Sequence, residues 1–99
     1  MVKHIVVYNF ADGLLQEKNI ENAEKFKRDV ESLKNALDGI ITLEVHCDLM
    51  PTSTSDVVIV SEFENEKALQ DYLVLPDHVK VAEFVKTAFK DRKCVDYQV

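Results

Sequence analysis

Glycine, proline and cysteine occur only twice each, and positive charge is in deficit. With Gly13 and Gly39 as the sole glycines, no glycine-rich loop can cradle a phosphate. Cys47 and Cys94 lie far apart in strand-like runs, where a free thiol acts as a small hydrophobe. Their spacing matches no zinc or redox motif, and the HExxH and EF-hand patterns are missing, so no bound metal is expected. Lys and Arg total 12 against 18 Asp and Glu, a formal charge of -6. That balance favours solubility and repels phosphate, and with no basic stripe it argues against nucleic acid as a partner. No apolar run approaches the roughly 18 residues of a membrane span, and no signal-like segment precedes the first strand pattern. The expectation is a reduced, cytoplasmic protein that does not enter a membrane.

What is present is the composition of one folded domain over residues 1–99, with 46% hydrophobic and 30% charged residues. Residues 3–10 alternate as a strand with His4, Val6, Tyr8 and Phe10 on one face and Ile5 and Val7 on the other. A helix starting between Leu15 and Asn19 carries Ile20, Ala23, Phe26, Val30, Leu33 and Leu37 at spacings of three or four. Asp38-Gly39 reads as its stop, with Gly39 in a left-handed cap. A second strand at 40–47 has Ile41, Leu43, Val45 and Cys47 on one face and Thr42, Glu44 and His46 on the other. Residues 49–55, with Pro51 and four hydroxyl side chains, form a loop. A third strand at 56–63 alternates Val57, Ile59, Ser61 and Phe63 with Val58, Val60 and Glu62.

A short helix over 64–74, capped by Asn65, turns Ala68, Leu69 and Tyr72 or Leu73 inward. Pro76 ends it and suits the first turn of the next helix, which carries Val81, Val85 and Ala88, flanked by His78, Ala82, Phe84 and Phe89. Residues 93–99 form a last strand with Cys94, Asp96 and Gln98 on one face. The order β-α-β-β-α-β predicts an α+β, ferredoxin-like fold: an antiparallel four-stranded sheet with helices on one face. Strands apolar on both faces need a second cover. Another copy of the chain, paired sheet to sheet in a barrel-like homodimer, is the simplest one.

Three side chains have chemical potential. His4 lies on a largely apolar face, so its imidazole needs a partner or carries a desolvation cost; it reads as a satisfied core residue or a pocket residue. Tyr72 reads as core or as a phenol directed into a pocket. His78, in the first turn after Pro76, reads as a packing residue or as a base, since a helix N-terminus favours neutral imidazole. The helix-facing side of the first strand brings His4 toward Tyr72 and His78. Two imidazoles and a phenol in an apolar hollow can abstract an acidic proton and steady an enolate.

The segments VKHIVVYNF, GIITLEV, SDVVIVSEFENEKALQDYLVLPDHVKVAEFV and VDYQV together resemble the stress-responsive α/β-barrel domain family, over almost the whole chain. The resemblance implies ferredoxin-like monomers pairing into a dimeric α+β barrel, and a small protein of undefined biochemical role. More distantly the chain resembles plant polyketide cyclases of the olivetolic acid type, which close a ring by aldol chemistry without metal or organic cofactor. That resemblance implies His78 as general base, Tyr72 and His4 orienting the substrate and steadying the oxyanion, and Val6, Tyr8, Phe26, Ile59 and Phe89 as the apolar wall. Three departures stand out: Leu75 where the family's HPxH block has histidine, Val57 at a polar position of the cyclase type, and a bulky Tyr8. A cofactor-free monooxygenase of the same superfamily shares the fold more than the sequence. Three readings follow: a stress-associated homodimer binding a small apolar ligand, a cyclase-like enzyme, and a pure interaction module, which would need an exposed apolar patch beyond the dimer face.

Overall fold

A computed structural model describes residues 1–99. Strand β1 (Val2–Phe10) leads to helix α1 (Gln16–Glu31), which tightens into a 3₁₀ turn (Ser32–Asn35). Strands β2 (Ile40–His46) and β3 (Val57–Phe63) follow, then helices α2 (Glu66–Leu73) and α3 (Pro76–Ala88) and strand β4 (Phe89–Gln98). The strands form one antiparallel sheet in the order β2-β3-β1-β4, with the helices on one face, as the pattern predicts.

The period-2 alternation of the central strands decides what faces the helices. Val2, His4, Val6 and Tyr8 of β1 and Val57, Ile59, Ser61 and Phe63 of β3 are all buried beneath them. Phe26 and Val30 of α1 are buried at the centre, and each such side chain contributes roughly 1.5–3 kcal/mol. Ser61, the polar exception on β3, is satisfied because its Oγ donates to the His4 carbonyl oxygen at 2.8 Å. The other face carries Ile5, Val7, Val58 and Val60, half-buried, and Val95 and Tyr97, which are 58% and 46% exposed. No element of this chain covers it.

Local physics accounts for the departures from the sequence pattern. Ile20 is exposed, because at 3.6 residues per turn it stands about 120° round the helix from Phe26. Asn22, on the inward arc, is buried instead. The α-helical part of the first helix ends at Glu31, well before Asp38-Gly39. Gly39 is not in the left-handed region. It is needed for close approach: a Cβ there would sit 2.5 Å from the Ala68 Cβ on α2.

A register irregularity between Ile40 and Thr42 buries Ile40 with Leu43 and Val45 and leaves Ile41 only partly covered. The last strand starts at Phe89, not Lys93, because a second irregularity opposite Val7 to Asn9 extends the ladder to Phe10. Asp91, the one non-glycine residue with positive φ (55°), forms this bend. Cys94 is exposed rather than a buried hydrophobe, and Cys47, just past β2, is half-buried. Asn65 caps α2 as expected, its side chain accepting from the Ala68 N–H at 2.9 Å, and Pro76 occupies the first turn of α3.

Candidate functional site

A hollow of about 190 Å³ lies between the sheet and the helices. The sheet supplies His4, Val6, Tyr8 and Ile59 to its wall, and α1 supplies Phe26. Tyr72 closes it from α2, His78, Val81 and Val85 from α3, and Arg92 from β4. His4, Tyr72 and His78, spread over three elements, therefore share one cavity. Phe89 stands outside the lining: it stacks on Tyr8 at 5.6 Å and meets Phe26 edge-on at 5.0 Å, so it backs the wall.

The Pro76 kink between α2 and α3 sets His78 in place. The ring centroids of Tyr72 and His78 are 4.5 Å apart and tilted by 58°. His78 Nδ1 lies 3.2 Å from the Leu73 carbonyl oxygen, left unpaired at the end of α2. A carbonyl only accepts, so Nδ1 carries the proton and Nε2 keeps its lone pair. Burial pushes the His78 pKa down, with help from the charges of His4 and Arg92, against the Leu73 hydrogen bond. The neutral, proton-accepting form is favoured.

Tyr72 is 2% exposed and packs on Phe63 at 5.2 Å between ring centroids. Burial raises its hydroxyl pKa far above the usual value, so the phenol stays a donor. Burial also raises Tyr8, and the neighbouring Arg92 guanidinium opposes that rise.

His4 is 5% exposed, and its Nδ1 pairs with the Asp96 carboxylate directly opposite it in the β1–β4 ladder. Cys94, two residues earlier on the same face, has its Sγ 3.5 Å from Asp96 Oδ1 and 3.7 Å from His4 Nδ1. A Cys-His-Asp cluster thus exists at the rim, though no such arrangement is visible along the chain.

The sequence pattern missed Asp96 and Arg92. The signal for Asp96 was its place with Cys94 and Gln98 on one strand face, but matching it to His4 requires the register. Arg92 was hidden because the polar run 90–93 carries no alternation.

A larger depression of about 280 Å³ between α1 and α3 is edged by Lys25, Asp29, Asp77 and Lys80. It holds none of the three candidate residues.

No curated protein matches the sequence. Among solved structures, a dimeric protein of unknown function and ferredoxin-like fold from Bacteroides fragilis is 30% identical, with a TM-score of 0.90 over 99% of this chain and 95% of its own. An Arabidopsis thaliana protein is 22% identical, with a TM-score of 0.78 over 100% of this chain and 95% of its own. The hydroxynitrile lyase from Passiflora edulis is 20% identical, with a TM-score of 0.75 over 97% of this chain and 90% of its own, a likeness of fold. The family model described as the stress responsive A/B barrel domain matches residues 2–99. With that match over nearly its whole length, the chain belongs to the stress responsive A/B barrel domain family.

Proposed function

We propose that the chain is a homodimer joined through the open sheet face, whose hollow binds a compact, largely apolar carbonyl compound and moves a proton on it. The observation that carries the acid–base reading is the His78 ring, whose Nδ1–H is spent on the Leu73 carbonyl and which lines the same hollow as Tyr72. In this reading Nε2 takes a proton from the carbon beside the carbonyl. The electron pair of the broken C–H bond moves into an enolate, and Tyr72 O–H donates to the enolate oxygen. Where the ligand holds a second carbonyl in reach, the enolate carbon attacks it. The new alkoxide then takes back the proton held by His78, which completes an aldol closure.

His4, held by Asp96, orients the ligand from the sheet, and Val6, Tyr8, Phe26 and Ile59 give the apolar wall, backed by Phe89. The size of the hollow, about 190 Å³, lies below the usual 300–1,000 Å³ of drug-sized sites and supports a small substrate rather than a long polyketide. Dimerisation is supported by the apolar sheet face and by the dimeric Bacteroides fragilis relative. The unpaired thiols of Cys47 and Cys94 suit a reducing compartment such as the cytoplasm.

The test is deuterium exchange at the acidic carbon of a small β-diketone, followed by proton NMR in deuterium oxide. The wild-type chain is expected to accelerate exchange, and His78→Ala to lose about 10²-fold or more of that acceleration. Tyr72→Phe is expected to slow exchange with less effect on binding. Exchange at the buffer rate with wild type would sink the acid–base reading. If the probe's resonances also stay sharp, ligand binding in the hollow falls with it.

A further inference from the structure

We propose that His4, Cys94 and Asp96 form a binding site for a thiophilic divalent cation, zinc(II) foremost. Their ligand atoms, one nitrogen, one sulfur and one carboxylate oxygen, lie within 4.8 Å of one another. The fold makes this cluster. Cys94 and Asp96 are two residues apart on β4 and share a face, and His4 is the cross-strand partner of Asp96.

Around a tetrahedral zinc with ordinary bond lengths, the S···N and S···O edges are each about 3.5 Å. The observed Sγ–Nδ1 and Sγ–Oδ1 separations are 3.7 and 3.5 Å. Only the direct His4–Asp96 hydrogen bond has to open. The Asp96 side chain is 46% exposed, so its carboxylate can turn without disturbing the core. His4 is fixed by contrast: it is buried, its ring meets Phe63 edge-on at 6.3 Å, and its carbonyl is held by Ser61.

Mixed nitrogen, sulfur and oxygen donors suit zinc better than magnesium or calcium, which take oxygen alone. Three protein ligands leave a fourth position for water or another donor. The protons balance as follows. The Cys94 thiol gives its proton to solvent. On binding, the His4 ring gives up the Nδ1 proton it shares with Asp96, coordinates through Nδ1 and carries its remaining proton on Nε2, which becomes a donor. The site shares His4 with the hollow but does not use the proton chemistry of His78, and Cys94 and Asp96 lie outside the hollow's lining.

The experiment titrates the chelator-treated, full-length chain with cobalt(II) and then zinc(II). The expected result is a thiolate-to-cobalt charge-transfer band with the intense visible absorption of four-coordinate cobalt, bleached by one equivalent of zinc per chain. Cys94→Ser removes the band, and Cys47→Ser keeps it. Asp96→Asn weakens cobalt binding by at least the roughly tenfold that even an outer partner of a metal site contributes. Both Cys94 and Asp96 are exposed strand residues, so their variants are expected to fold, with circular dichroism as the check. No band in the wild type, or a band that survives in Cys94→Ser, overturns the site. Neither readout involves β-diketone exchange, so failure here and failure of the His78 mechanism are separate results.

Discussion

At the scale of the residue, His78 has two consequences from one cause. Its partial burial under Tyr72 and beside Arg92 lowers its pKa, which keeps it a base and also makes it a pH-dependent weak point. In the unfolded chain a histidine takes its proton near pH 6.5. Between that value and the lower native pKa, the unfolded chain binds more protons than the folded one, so stability rises with pH across the window. The stability linked to neutral His78 is therefore whole above about pH 6.5 and is lost as pH falls below it. Urea unfolding at about pH 7.5 and about pH 5.5 is expected to show a larger acid-induced loss for wild type than for His78→Gln. His4 and His46 are present in both proteins and cancel in the comparison. Equal losses in the two would mean that His78 is as hydrated folded as unfolded.

At the scale of the element, the sequence was readable wherever a strand or helix keeps its period and misleading wherever it does not. β1 and β3 pair without irregularity along seven successive partners, so simple alternation named their inward residues. β2 and β4 each contain a register shift, and alternation failed at both: it turned Ile41 inward in place of Ile40 and began the last strand at Lys93. Arg92 was lost to that second error. His4 and His78 stood out because each interrupts an apolar or helical pattern in its own element, and Tyr72 because a phenol takes an inward position on α2; the three line one hollow. Asp96 was not assigned to His4, since pairing across 92 residues depends on a bulge at Asp91 that no local pattern signals.

Gly39 shows the same limit, because its purpose lies in another element. A Cβ there meets the Ala68 Cβ at 2.5 Å, so Gly39→Ala must push α2 away from the start of β2. The expected cost is about 1–3 kcal/mol, the range for overpacking. Adding Ala68→Gly removes the clashing atom and is expected to recover part of that loss in a double-mutant cycle of unfolding free energies. If the two changes simply add, Gly39 has another role.

At the scale of the whole molecule, the proposed pairing rests on the uncovered sheet face. The chain has a net charge of -6, yet this face is paved by Ile5, Val7, Val58, Val60, Val95 and Tyr97. Charge appears at its margin, where Lys3 and Glu62 approach within 3.7 Å. A typical specific dimer covers about 800 Å² on each partner, a small share of the 6360 Å² exposed by this chain. The proposed sheet-to-sheet pairing would also account for β1 and β3 being apolar on both sides, since each face would then lie in a core.

Val60, half-buried in central β3 and paired with Ile5, is the place to test this. Val60→Lys would bring an ammonium into the pairing surface beside only the Glu44 carboxylate across the β2–β3 ladder, a desolvation cost that such a pair does not repay. Sedimentation equilibrium is expected to give twice the chain mass for wild type and a shift to the single-chain mass for Val60→Lys. Glu83→Lys, which changes charge on the exposed outer side of α3, should stay dimeric. A wild type that sediments as a single chain would overturn the pairing. A Val60→Lys variant that remains a stable dimer would move the interface to another surface. In either case the apolar sheet face would need a different cover, because an open patch of branched side chains on a small protein promotes aggregation.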